Sequence, residues 1–300
     1  MYAIEINNLV KSYKEKNALN GLNMKVPVGA IYGFIGENGS GKSTTEKIIC
    51  GLIHKTSGDI KLFGSDIDDV DIRYNMGSLI EAPGCYPNYS VWNNLILHAL
   101  NLGIKNKEDE VRKLLTLVRM EGAASNKYKN CSLGMKQRIG IAMSLMTNPR
   151  ILVLDEPINA LDVDGMRIVR EVLVDLASKG VTILISSHIL GELEKIATHY
   201  GIIRHGKMIK EMTASELDRD LRSYVAIKVK NIDNTKSVLL KKYNNVVIDE
   251  GDYIRIYDAS SSSDISSYLY ENNIIIEEIT TNKIGLMEYY NDLMMEDNNE

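Results

Sequence analysis

The sequence predicts an α/β protein with a helical insertion in its core and a small α+β unit behind it. Three observations carry this. Short continuous apolar runs at 30–35 (AIYGFI), 151–154 (ILVL) and 181–185 (VTILI) read as strands of a parallel sheet covered on both faces. The stretch 90–147 is helical in pattern almost throughout. Beyond about residue 216 the runs follow the order β-α-β-β-α-β, that of a ferredoxin-like unit. Three hundred residues exceed one small core. The expected division is 1–215 and 216–300, with a helical subdomain over about 88–147.

Each element has a local reason. The strand at 30–35 runs into a glycine-rich turn and a helix from Lys42. Val111, Leu114, Leu115 and Val118 repeat at i, i+3, i+4, i+7, the apolar face of an amphipathic helix. Ile139, Ala142, Met143 and Met146 do the same on the next one. Between the last two core strands, Met166, Val169, Leu173 and Leu176 share a face, with Asp164 expected as N-cap and Gly180 as the stop. In the tail, strands are expected at 224–229, 246–248, 253–257 and 274–279, the middle two joined by a hairpin at Glu250-Gly251-Asp252. Helices are expected at 237–243, 265–270 and 286–295, ahead of the acidic end EDNNE.

Composition narrows the function. A net charge of −5 offers no basic field for nucleic acid or an anionic membrane. Cys50, Cys85 and Cys131 lie far apart without CxxC spacing, which fits a reducing compartment better than a disulfide framework. Glu5 interrupts the N-terminal apolar segment that a signal peptide would need. The most apolar windows, 151–157 and 181–190, are far short of a membrane span. The chain therefore reads as soluble and cytosolic, and any work at a membrane requires another protein to supply the span.

Residues 36–44 read GENGSGKST, the spacing of a phosphate-binding P-loop between a strand and a helix. Glycines permit the tight turn that lets consecutive backbone N–H groups converge on phosphate oxygens at a helix N-terminus. Lys42 reaches the β- and γ-phosphates, and the Ser43 hydroxyl is placed for Mg²⁺. Further on, ILVLDEP delivers Asp155 to a strand end, where a carboxylate holds Mg²⁺, and sets Glu156 beside it to polarise an attacking water. A third element, CSLGMKQR at 131–138, opens a helix that Ser132 can cap and at which Gly134 exposes backbone N–H groups. That is a second anion site, which one nucleotide does not need. Two chains facing head to tail would use both.

With these residues in place, the chain resembles the nucleotide-binding subunits of ATP-binding cassette (ABC) transporters over residues 2 to about 215. The resemblance implies a P-loop NTPase core of the ABC type, ATP and Mg²⁺ as ligands, and a homodimer with ATP at its interface. The loop from Gly36 through Asn38, Gly39, Gly41, Lys42 and Ser43 to Thr44 would hold the phosphates, and Tyr13 would stack on adenine. Ser43, Asp155 and Glu81 would face Mg²⁺. Glu156 would be the catalytic base and His188 the γ-phosphate sensor. Ser132 and Gly134 would contact the partner's ATP, and Asp162, in the loop Asn159-Ala160-Leu161-Asp162, would join the two sites. His54, His98, His199 and His205 lack such context and read as surface or packing residues.

Two departures stand out. Leu133 occupies a position usually glycine, and Glu81 one usually glutamine. The segment GSLIEAPGCYPNYSVWNNL, with SLGMKQR, is similar to the bacitracin-export and lantibiotic self-immunity subfamily, which carries that glutamate and a C-terminal extension of this size. This implies a separately encoded integral-membrane permease, peptide-antibiotic resistance, and a cytoplasmic subunit held at the inner membrane face through the permease. The loop at 81–90 and the helical subdomain would receive a permease helix, with Tyr86, Tyr89 and Trp92 either lining that groove or forming subdomain core. The tail would be a regulatory or dimer-stabilising module. Export of another substrate and a soluble ABC ATPase acting on ribosomes or DNA are the alternatives. The second lacks the tandem cassettes or long coiled-coil insertion usual in such chains. A kinase or GTPase would leave SLGMKQR unexplained.

Overall fold

The chain opens with β1 (Tyr2–Tyr13) and β2 (Lys16–Pro27), an antiparallel pair whose alternation is broken by several register shifts. The computed structural model describes the chain apart from residues 15, 160, 249–252, 258, 260 and 297–300. Ala160, the expected hairpin turn at 250–252 and the acidic end therefore lie outside the described residues. β3 (Ile31–Ile35) is buried along its whole length and starts a second sheet, running into α1 (Lys42–Ile49). β4 (Ser57–Leu62) and β5 (Ser65–Asp66) return to the first sheet, ordered β2-β1-β4-β5. Ile4, Ile6, Met24 and Ile60 from that sheet share one apolar core with Phe34, Ile48 and Ile49.

After α2 (Val70–Arg73) and β6 (Met76–Leu79) come three helices: α3 (Val91–Asn101), α4 (Lys107–Leu117) and α5 (Leu133–Ser144). Ser90 caps α3 by accepting from the Asn93 N–H, and Ser132 caps α5 by accepting from the Met135 N–H. β7 (Ile151–Asp155), α6 (Val163–Ser178), β8 (Thr182–Ser186), α7 (Leu190–Leu193), β9 (His199–Arg204) and β10 (Lys207–Thr213) complete the core. The second sheet is ordered β10-β9-β3-β8-β7-β6, parallel except for β10. Its parallel strands all end on one side, and the loops after β3, β7 and β8 meet there.

One expected cap moves. Asp162, not Asp164, caps α6, accepting from the Gly165 N–H at 2.8 Å. Asp164 instead pairs with Arg167 one turn on. Gly180 does end the helix, at φ +89°.

Contacts divide the chain into two compact units, Met1–Ala214 and Ser215–Glu300. α8 (Ala214–Asp220) begins at this division. In the second unit β11 (Ser223–Val229), α9 (Ile232–Leu239), β12 (Val246–Ile248), β13 (Tyr253–Ile256), α10 (Ser262–Glu271) and β14 (Ile276–Lys283) form an antiparallel sheet of order β12-β13-β11-β14. α11 (Leu286–Glu296) follows. The β-α-β-β-α-β order is as the sequence predicted, with shifted boundaries. α9 starts earlier than 237 because Asn231 caps it, accepting from the Asn234 N–H. β14 runs past 279 through polar Thr280–Lys283, which an edge strand paired only with β11 tolerates.

Candidate functional site

The glycine-rich loop after β3 is shaped by close approach. A Cβ on Gly36 would lie 2.4 Å from the Ile203 carbonyl oxygen, so only glycine passes there. Gly41, at φ +116°, turns the chain directly into α1, whose N-terminus has no side-chain cap and no acidic residue in its first turn. The first N–H groups of α1 are thus left for a ligand anion. Lys42 is buried, and its ammonium donates to the loop carbonyls of Gly36 at 2.6 Å and Glu37 at 3.1 Å. The buried Ser40 hydroxyl has no hydrogen-bond partner.

Opposite the loop, the ends of β7 and β8 supply the carboxylates. Asp155 Oδ1 accepts from Ser186 Oγ at 2.9 Å and from Ser43 Oγ at 3.4 Å. Glu156 follows in the left-handed region at φ +51°, unusual for a side-chain-bearing residue and a feature that collects at functional sites. Its N–H donates to Ser186 Oγ at 3.2 Å. Its Oε2 accepts from the His188 N–H at 3.2 Å and lies 3.0 Å from His188 Nδ1. Ser43, Asp155, Glu156 and His188 are therefore brought together.

Two features of this cluster were not read from the sequence. Ser186 bridges both carboxylate residues. Glu46, one turn into α1 beyond Lys42, is fully buried without a hydrogen-bond partner for either oxygen. Burial, and then the neighbouring Asp155, push its carboxyl well above the usual range.

Glu81 ends the run after β6, again in the left-handed region at φ +63°. Its carboxylate binds the Lys47 ammonium of α1 at 2.6 Å. That hydrogen bond and charge hold Glu81 below the usual carboxylate range and raise Lys47.

These groups enclose a cleft of about 560 Å³. Asn38, Gly39, Gly41, Lys42, Ser43, Thr44, Glu81, Asp155 and Glu156 line it, together with Lys16, Ala18, Gln137 and Asn159. Tyr13 is not in its wall but pairs in register with Lys16, which is, and half its surface is exposed. Gly36 opens the loop without lining the cleft, and His188 joins through Glu156. Ser132, Gly134 and Asp162 do not line the cleft: Ser132 and Gly134 stand at the start of α5, and Asp162 caps α6.

A second cavity, of about 340 Å³, lies between the core and the helical subdomain, lined by residues including Leu79, Ile80, Ala82, Pro83, His98 and Met143. Tyr86, Tyr89 and Trp92 are not among its lining residues. The buried Asn94 side chain bonds to backbone groups of Tyr86, Tyr89 and Ser90, which leaves both tyrosines exposed, ring centroids 5.3 Å apart. Trp92 stacks under Arg112 instead.

Residues 19–159 match the family model for the ABC transporter domain. The bacitracin transport ATP-binding protein BcrA of Enterococcus faecalis is 37% identical over 300 residues, covering 98% of this chain and 96% of that protein. The lantibiotic transport ATP-binding protein SrtF of Streptococcus pyogenes is 44% identical over 215 residues, covering 71% of this chain and 93% of that protein. Among solved structures, the ADP conformation of MJ1267, an ATP-binding cassette of an ABC transporter, superposes with a TM-score of 0.65 at 26% identity, covering 73% of this chain and 94% of that one.

Proposed function

The chain belongs to the family of ABC transporter ATP-binding proteins, and from that premise we propose that two copies close head to tail over ATP and drive a separately encoded membrane permease. The observation that carries this is the separation of Ser132 and Gly134 from the cleft. The start of α5 is a second helix N-terminus, set apart from the residues lining the cleft of its own chain, and a second copy supplies it with a phosphate. The mixing of two inactive variants tests it. Lys42→Ala and Gly134→Asp chains each have no intact composite site as homodimers, whereas a head-to-tail heterodimer has one. ATP-dependent dimers and turnover should return only in the mixture, and a mixture as inert as its components would defeat the arrangement.

Within the cleft, Lys42 and the N–H groups of α1 bind the phosphates, and Tyr13 stacks on the base. Glu156 takes a proton from the attacking water, oriented by His188. The oxygen donors Ser43, Asp155 and Glu81 suit Mg²⁺, a hard cation. When bound, Mg²⁺ neutralises charge on the β- and γ-phosphates. Asp162 and the loop before it link the two sites of the dimer.

The transported class is peptide antibiotic, of bacitracin or lantibiotic type, and the chain works at the cytoplasmic face through its permease. Among the described residues no helix is long and apolar enough to cross a membrane. The match to BcrA spans both units, whereas the 215 residues aligned to SrtF already account for nearly all of that protein. This favours a bacitracin-type system with the second unit as a regulatory or dimer-stabilising module. Coexpression with a candidate permease in a sensitive host should raise the inhibitory concentration of bacitracin, and unchanged sensitivity to both antibiotic types would redirect the assignment to another substrate. Deleting 216–300 should alter dimerisation, permease binding or turnover.

A further inference from the structure

The loop after β6 is a wall shared by two cavities. Glu81 faces the nucleotide cleft, whereas Ile80, Ala82, Pro83 and Gly84 line the second cavity. Glu81 is already engaged, since its Oε1 accepts from Lys47 Nζ at 2.6 Å. Lys47 stands on α1, the helix that begins at Lys42. The same helix therefore presents its N-terminus to the phosphates and, a turn further on, holds the loop on the other side of the cleft. An ammonium and a divalent cation compete for one carboxylate, because both are bound chiefly by its charge.

We infer that Lys47 is a positioning residue that holds Glu81 and the loop 80–84 through this ion pair, and that a divalent cation entering the cleft displaces it. This rests on the reading of Glu81 as a group facing Mg²⁺. Glu81 lies between Ile80 and Ala82 in sequence, so the residue that the pair with Lys47 holds sits within the segment lining the second cavity. The pair is accessible to water, which limits the effect to a small factor.

The test is a Mg²⁺ titration of the full chain, read by binding of a fluorescent β,γ-imido ATP analogue that is not turned over. Lys47→Ala should lower the Mg²⁺ midpoint by about two- to five-fold, the range of an exposed ion pair. Lys47→Arg, which keeps the pair, should keep the wild-type midpoint. In a Glu81→Gln background Lys47→Ala should shift nothing. Lys47→Gln provides a second neutral variant if the alanine chain folds poorly, with circular dichroism as the check. An unchanged midpoint in both neutral variants overturns the inference. So does a shift that survives Glu81→Gln, because the lysine would then act by long-range charge alone. If the wild type binds no analogue at any Mg²⁺ concentration, or Lys42→Ala binds as it does, the nucleotide reading itself falls and takes the inference with it.

Discussion

His188 addresses one oxygen of Glu156 twice, through its main-chain N–H at 3.2 Å and its ring Nδ1 at 3.0 Å. From behind, Ser186 accepts the Glu156 N–H and donates to Asp155, tying the two acidic residues to the end of the neighbouring strand. Glu156 is thus fixed at its backbone and at its carboxylate in the wall of the cleft. A general base needs this pre-positioning more than it needs bulk charge.

Glu156→Gln keeps the shape and hydrogen-bond capacity of the side chain but removes its basicity. ATP turnover should fall about 10²- to 10⁴-fold while ATP binding persists. Closed dimers should then accumulate, visible by light scattering as a doubling of mass on adding ATP. A chain that stays monomeric in ATP would contradict the clamp.

Lys42→Ala removes the only cation aimed into the phosphate loop among the described lining residues of that loop, leaving the carbonyls of Gly36 and Glu37 without their donor. Binding of ATP and turnover should both be lost. Normal activity would refute the assignment of the loop.

The legible parts of this molecule are those where local pattern and chemistry coincide. Lys42, Ser43, Asp155 and Glu156 could be gathered in advance because each follows a continuous apolar run, and parallel strands end on a common side. Lys16 and Ala18 could not, since β2 is held to β1 through register shifts that blur the two-residue alternation. Gln137 lies within the CSLGMKQR stretch, yet its approach to the cleft depends on how α5 meets the core. Glu46 gave no warning either. In STTEKII it has the look of a helix's polar face, and only the packing of α1 against β7 buries it. The α6 cap was misplaced by two residues because Asp162 and Asp164 are both suitable cap residues.

Glu81→Gln replaces a charged ligand position by a neutral one. A carboxylate repels the γ-phosphate when the metal is absent and binds the metal strongly when it is present. The variant should therefore keep a larger fraction of its maximal ATPase rate at low Mg²⁺ than the wild type does. It also loses the ion pair with Lys47, so loop closure should depend less on salt. Superimposable Mg²⁺ titrations of wild type and variant would return Glu81 to an ordinary loop residue.

Glu46 makes folding stability depend on pH in a direction opposite to that of a salt-bridged carboxylate. Its folded-state pKa lies above the unfolded one, so the folded chain binds the extra proton. Below the unfolded value both states are protonated and the side chain carries no ionisation penalty. As pH rises from there toward the folded pKa, the unfolded state gains an ionised carboxylate that the folded state cannot, and stability falls by up to about 1.4 kcal/mol per pH unit. Glu46→Gln fills the same space without ionising and removes this slope. Thermal unfolding of nucleotide-free protein in EDTA should give similar midpoints for the two chains below the ordinary carboxylate range. As pH rises above that range the variant should melt progressively higher than the wild type. Parallel curves there would mean that the carboxyl is already ionised in the folded state, stabilised by Lys42.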